Sequence, residues 1–154
     1  MKSEVRGLKL AIAIVAAGAA VLAGAPAAQA AGTTPNPSPA KVTINAAQKS
    51  ATWGSLHVGD CQQDGGTIVV RADGTGDWSA TTLTYHTNSG DIWHSSFDFY
   101  TRAGFRLFHA GTFDSPRMND GNPPPRYFWT GHFIFDPAQF NGIDIYKTLQ
   151  HSSC

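Results

Sequence analysis

The chain has 154 residues, with 11 basic and 11 acidic side chains and no formal net charge when histidine is neutral. That length suits one ordinary domain with a single core. A balanced charge gives no electrostatic basis for nucleic acid or an anionic membrane as a partner, and excludes both from the expected partners.

Lys2, Arg6 and Lys9 make the N-terminus positive, and Leu10 to Ala23 is an Ala-rich apolar run. The run falls short of the roughly 20 strongly apolar residues of a membrane span. It is followed by Ala28-Gln29-Ala30, the small-x-small pattern of a signal peptidase site. Residues 1–30 are therefore expected to be an export leader. Cleavage after Ala30 leaves a secreted, extracellular chain that starts at Ala31, with no stable membrane anchoring after cleavage. The leader holds three of the basic residues and one of the acidic ones, so 8 basic and 10 acidic residues remain, and every remaining acid is Asp. Residues 31–41 carry three prolines among small polar residues and are expected to be a disordered linker. The folded domain is expected over 42–154.

Ala51 to Val58, carrying Trp53 and Leu56, is the first expected strand. Thr67 to Arg71 is β-branched and is followed by Asp73-Gly74-Thr75-Gly76, a hairpin signal because Asp and Gly tolerate positive φ. Trp78 to Tyr85 comes next. Ile92 to Tyr100 alternates, with Trp93, Ser95, Phe97 and Phe99 on one face and His94, Ser96 and Asp98 on the other. Phe105 to Phe113 and Tyr127 to Phe135 continue the pattern, and the second is the most aromatic run. Between them lies the longest loop, Asp114 to Pro125, with four prolines. Asp136-Pro137 starts a helical turn, Asp as N-cap and Pro at the first helical position. Ile143, Ile145, Lys147 and Leu149 form the last alternating run. No amphipathic helix interrupts the series. The expected fold is all-β, an antiparallel meander of about seven strands, barrel-like or sandwich, in a single domain. Closure is slightly favoured because it removes exposed edges. Trp93, Phe97 and Phe99 are expected to meet Trp129, Phe133 and Phe135 in one core, leaving His94, Asp98 and His132 open to water.

Cys61 and Cys154 are the two cysteines. In an exported chain two cysteines pair, and without a C-x-x-C or a histidine cluster beside them a metal site is disfavoured. The bridge closes a long loop, worth roughly 4–5 kcal/mol by chain entropy.

The run Thr52-Trp53-Gly54-Ser55-Leu56-His57-Val58-Gly59-Asp60-Cys61, followed by Gly65-Gly66-Thr67 and Asp73-Gly74-Thr75, resembles a family of small secreted actinobacterial β-domains of unknown function. The resemblance spans roughly Ala51 to Tyr100. It implies a β-fold and an extracellular place, and it carries over no catalytic role.

The chemistry-bearing residues form no motif. His57, His86, His94, His109, His132 and His151 lack the i, i+4 spacing of a helical metal site. His94, His109 and His132 sit on successive expected strands, where convergence is the alternative to isolated sheet histidines. Ser96, His94 and Asp98 share one face of one strand, but residues i, i+2 and i+4 point in parallel at about 6.5–7 Å, too far apart for a triad. Most aspartates lie in turns, where the side chain bonds nearby backbone N–H groups. Asn119-Asp120-Gly121-Asn122 lacks the ligand series of a calcium loop. No cofactor and no metal is implied.

The expected function is therefore non-enzymatic binding of an unknown extracellular ligand: a small molecule, a glycan or a protein. The alternative is a small secreted hydrolase that uses a His/Asp pair from different strands. Within the first reading the leading site is the proline-rich loop, where Arg117 and Arg126 supply charge and Met118 an apolar contact.

Overall fold

The structure, a computed structural model, describes residues 38–154 and the backbone of Thr34–Pro35. The expected leader and its cleavage point lie outside the described residues. Of the proline-rich stretch, Thr34–Pro35 (β1) pairs with the C-terminal strand, and Lys41 opens β2.

The strands follow as β2 (Lys41–Ile44), β3 (Gln48–Thr52), β4 (Leu56–Val58), β5 (Cys61–Arg71), β6 (Thr75–Thr84), β7 (His94–Tyr100), β8 (Arg106–Asp114), β9 (Tyr127–Ile134) and β10 (Leu149–Ser153). The molecule is all-β and antiparallel. One sheet has four strands in the order β1-β10-β7-β8. The other has six, in the order β2-β3-β5-β6-β9, with β4 also on β5. The chain crosses between sheets after β1, after β6, after β8 and after β9. Neither sheet closes, which corrects the preference for a barrel. β8 and β9, consecutive in the chain, end as edges of different sheets. The loop joining them contains Pro116, Pro123, Pro124 and Pro125, which have no N–H to give a ladder, so no tight hairpin forms there.

Local chemistry accounts for the hairpins. At the β5–β6 turn Asp73 Oδ1 accepts from the Thr75 backbone N–H at 2.9 Å and from Thr75 Oγ1 at 2.7 Å. Gly74 there has φ +86°, and a Cβ would meet the Phe135 carbonyl at 2.6 Å, so glycine is required twice over. Within β5 a bulge between Asp64 and Thr67 brings Gly66 so close to Gln63 and Trp78 that a side chain would collide with both.

The core lies between the sheets. Phe97 of β7 touches Trp78 of β6 with ring centroids 4.7 Å apart, and Trp53 at 5.6 Å. Trp93, Phe97, Phe99 and Trp129 are buried as expected, while Phe133 and Phe135 are half-buried at the margin. Phe99 meets Phe133 at 6.0 Å, so the two aromatic faces do join. Most polar groups inside are paired: Trp93 Nε1 donates to Ser95 Oγ at 2.9 Å and Trp129 Nε1 to Thr82 Oγ1 at 3.1 Å, while Trp78 Nε1 has no partner among the described residues. Gln150 of β10 donates through Nε2 to Gln63 Oε1 of β5 at 2.6 Å, a hydrogen bond that fixes one sheet against the other.

Ile143 to Leu149 is not the expected strand. Two 3-10 turns, Pro137–Gly142 and Ile145–Lys147, occupy this part of the chain, and the last strand starts only at Leu149. Asp136 caps the first, with Pro137 at its start as expected. Asp144 caps the second. Ile143 and Ile145 are both buried, because consecutive tight turns imitate a period of two. Buried Lys49 holds the first turn down, donating to the carbonyls of Phe140 at 2.8 Å and Ile143 at 2.7 Å.

Candidate functional site

The alternation of β7 turns Ser95, Phe97 and Phe99 inward and leaves His94, Ser96, Asp98 and Tyr100 on the outer face of the four-stranded sheet. Register then decides what each one meets. Across from β7, β8 places His109 opposite Asp98, Asp114 opposite His94 and Arg106 opposite Tyr100. On the other side, β10 places His151 opposite Ser96 and Ser153 opposite His94.

Asp98 is the hub. Its Oδ1 accepts from His109 Nδ1 at 3.0 Å and from an Arg106 guanidinium N–H at 3.4 Å, and its Oδ2 accepts from His151 Nε2 at 3.0 Å. An ionised carboxylate only accepts, so the hydrogen must lie on His109 Nδ1 and on His151 Nε2. Asp98 is 8% exposed, which corrects the expectation that it faces water. The side chains of three neighbours close over it. Burial alone would raise its pKa, but the hydrogen bonds from His109 and His151 outweigh that and hold it below the usual carboxylate range. The result is a fixed negative charge that presents two imidazoles outward.

Beside this hub, His94 Nδ1 pairs with Asp114 Oδ1 at 2.7 Å. His94 and His151 both line a shallow pocket of about 180 Å³ with Ser95, Ser96, Thr112 and Ser153. At the end of the same β7–β8 hairpin, Phe105 is 73% exposed. His132 does not join His94 and His109. It belongs to the six-stranded sheet, where it meets Asp77 Oδ1 at 2.8 Å, and hydrogen bonds from His132 and Arg71 hold that carboxyl below its ordinary range. Ser96 lies opposite His151, yet no hydrogen bond joins its hydroxyl to that ring.

The proline-rich loop is placed differently from its expected role. Met118 is fully buried, and it exchanges two backbone hydrogen bonds with Asp91 at 2.7 and 3.0 Å. It offers no exposed apolar contact, because the loop folds back and uses Met118 as part of the core. Arg117 donates to the Ser89 carbonyl at 2.6 Å, and Arg126 is in an ion pair with Asp64. Both side chains remain exposed, with their charged heads occupied in holding the loop. Cys61 and Cys154 come together at a Cα separation of 6.2 Å, with no free cysteine left. Asp91 lies beside them, with Thr84 Oγ1 donating to it at 2.7 Å. The sulfurs, joined to each other, do not serve as metal ligands there.

Wider concavities of about 500 Å³ and 430 Å³ lie over the 3-10 turns and beside the disulfide; both open to solvent rather than into the aromatic core. The sequence reading missed His151 as a site residue because the last strand was set too early; the signal available was the alternation of Leu149, His151 and Ser153 with Gln150 and Ser152.

Residues 67–154 match the model of DUF6294, described as a family of unknown function. The match begins after the motif that ends at Cys61 and includes β6 to β10, and with them every residue of the outer-face cluster. No curated protein matches the chain, and no solved structure does.

Proposed function

We propose, for a chain that belongs to DUF6294 and so to a family of unknown function, a non-enzymatic binding role carried by the outer face of the four-stranded sheet, with a glycan as the ligand. The observation that carries this reading is the cluster around Asp98: a buried carboxylate bonded to two imidazoles and Arg106, on a hairpin whose end carries an exposed Phe105. Sugars are bound by this combination of rigid polar groups for the hydroxyls and an aromatic surface for the C–H faces. The packed aromatic interior supports an outer site over an internal one. Export fits such a role. The chain recovered from culture medium is expected to begin at Ala31, and an intact Met1 on the secreted form, read by mass spectrometry, contradicts it.

The test of the binding role is affinity electrophoresis of the purified protein through gels containing soluble polysaccharides. At least one polysaccharide should retard the protein; Phe105→Ala should remove the retardation without changing the melting temperature, and His109→Ala should remove it while near-UV circular dichroism matches the parent. Lack of retardation by every polysaccharide tried, or equal retardation of the variants, argues against the glycan.

A second reading, a hydrolase, draws on the same contacts, since a carboxylate 3.0 Å from a histidine orients a general base. Release of reducing ends from a bound polysaccharide, abolished by His151→Ala, would support that reading over binding alone.

A further inference from the structure

We infer that the pocket between His94 and His151 is a site for a divalent transition-metal ion of the zinc class, held by His94 Nε2 and His151 Nδ1. The inference does not rest on the glycan reading. Three independent observations lead to it.

The first is register. His151 stands opposite Ser96 and Ser153 opposite His94, so the two histidines are diagonal neighbours on adjacent strands of one face. Diagonal positions are about 7–8 Å apart, within reach of long side chains, and an imidazole nitrogen sits about 2.0–2.1 Å from zinc. Both histidines line one pocket from these diagonal positions.

The second is the state of each ring. His94 gives its Nδ1 to Asp114 at 2.7 Å, and His151 gives its Nε2 to Asp98 at 3.0 Å. In each case a carboxylate takes one ring nitrogen and fixes the tautomer, leaving the other nitrogen as a lone-pair donor with no hydrogen-bond partner among the described residues. A carboxylate behind the histidine is the usual outer support of a metal-ligating imidazole, raising its basicity and setting its plane. Here the arrangement occurs twice around one pocket.

The third is the lining. The pocket of about 180 Å³ is walled by both histidines together with Ser96, Thr112 and Ser153, whose hydroxyls have no hydrogen-bond partner among the described residues. Hydroxyl oxygen or water can complete the coordination there. Two imidazoles with neutral oxygens suit zinc, copper or nickel, whereas calcium and magnesium require carboxylate-rich oxygen sets. The side chains of His94 and His151 are 41% and 25% exposed, so an ion has a direct path in.

The molecule contains its own controls. His132 is held by Asp77 in the same manner on the other sheet, but lies outside this pocket. His109 shares Asp98 with His151 and likewise does not line the pocket.

The test is calorimetric titration of the untagged protein with zinc chloride alone, in a non-chelating buffer near neutral pH. One saturable equivalent is expected. His94→Ala, the milder His94→Gln and His151→Ala should each weaken binding at least tenfold, and Asp114→Asn, which removes only the outer support, about tenfold. His132→Ala should leave it unchanged. Near-UV circular dichroism matching the parent shows that the variants are folded, and His94→Gln, at a half-exposed position, keeps the test decisive if His151→Ala disturbs Asp98. No saturable uptake at millimolar zinc, uptake that survives loss of both histidines, or uptake lost equally in His132→Ala overturns the site.

Discussion

Asp98 shows how one residue converts register into chemistry. Its carboxyl is held below the ordinary range against the cost of burial, by His109 and His151. A depressed folded-state pKa contributes stability above the unfolded value, about 3.9, and that contribution is lost as the pH falls through the folded value. Asp64 and Asp77, each bonded to an arginine, are shifted in the same direction. The melting temperature should therefore fall as the pH drops below about 4, and Asp98→Asn should flatten part of that dependence. An Asp98→Asn variant with the parent's full acid sensitivity would show that the hub contributes nothing to folding. Phe97 is the apolar counterpart, fully buried and in contact with Trp53, Trp78 and Phe113. Phe97→Ala removes rings' worth of contact from both sheets and should cost about 3–5 kcal/mol in denaturant unfolding. A cost under about 1 kcal/mol would mean that the site collapses around the gap.

Among the elements, β10 links the most parts of the molecule. It pairs β7 on one side and β1 on the other, sends Gln150 across to the second sheet, carries His151 to Asp98, and ends one residue before the cysteine joined to the start of β5. The bridge spans 93 residues of sequence, so Cys154→Ser should lower stability by about 2–4 kcal/mol in equilibrium unfolding. Unchanged stability would mean that the Gln63–Gln150 contact and the β7 ladder hold β10 alone. β10 is also where the sequence was hardest to read. Alternation identifies β7 and β9 and their inward faces, since Phe97 lies between polar neighbours and Trp129 continues a run of rings and glycine at every second position. The Asp-Gly turn after β5 and the Asp-Pro cap at Asp136 were legible because each depends on a local hydrogen bond. Ile143, which ends the first 3-10 turn, and Ile145, which starts the second, imitate a strand, and that hides the true strand and His151 with it. Met118 was misplaced for another reason: nothing in a proline-rich loop marks the single residue that returns to the core. The Asp98 site was half legible. Sequence placed Asp98 mid-strand with an unusual set of neighbours on its own strand, but its partners come from β8 and β10 and depend on pairing that no local pattern encodes.

At the scale of the whole molecule, the two sheets divide the labour. Their shared interior is packed with aromatic rings, with its polar groups mostly paired inside, and this supplies rigidity. Their outer faces differ. The six-stranded sheet presents Phe128 and Ile134, both largely exposed, on its edge strand β9, with His132 between them. The four-stranded sheet instead concentrates carboxylates, imidazoles and hydroxyls around one buried charge, with Phe105 at its margin. From that asymmetry we propose that the chain acts through the outer face of the four-stranded sheet, by contact rather than by enclosing a ligand. The most direct measurement compares three proteins in the same polysaccharide-containing gels: the parent, a Phe105→Ala/His109→Ala variant of the four-stranded face, and a Phe128→Ala variant of the opposite face. The account predicts that the parent and Phe128→Ala are retarded equally while the double variant migrates as it does without polysaccharide. Retardation that survives the double variant, is lost in Phe128→Ala, or is absent from the parent would contradict it.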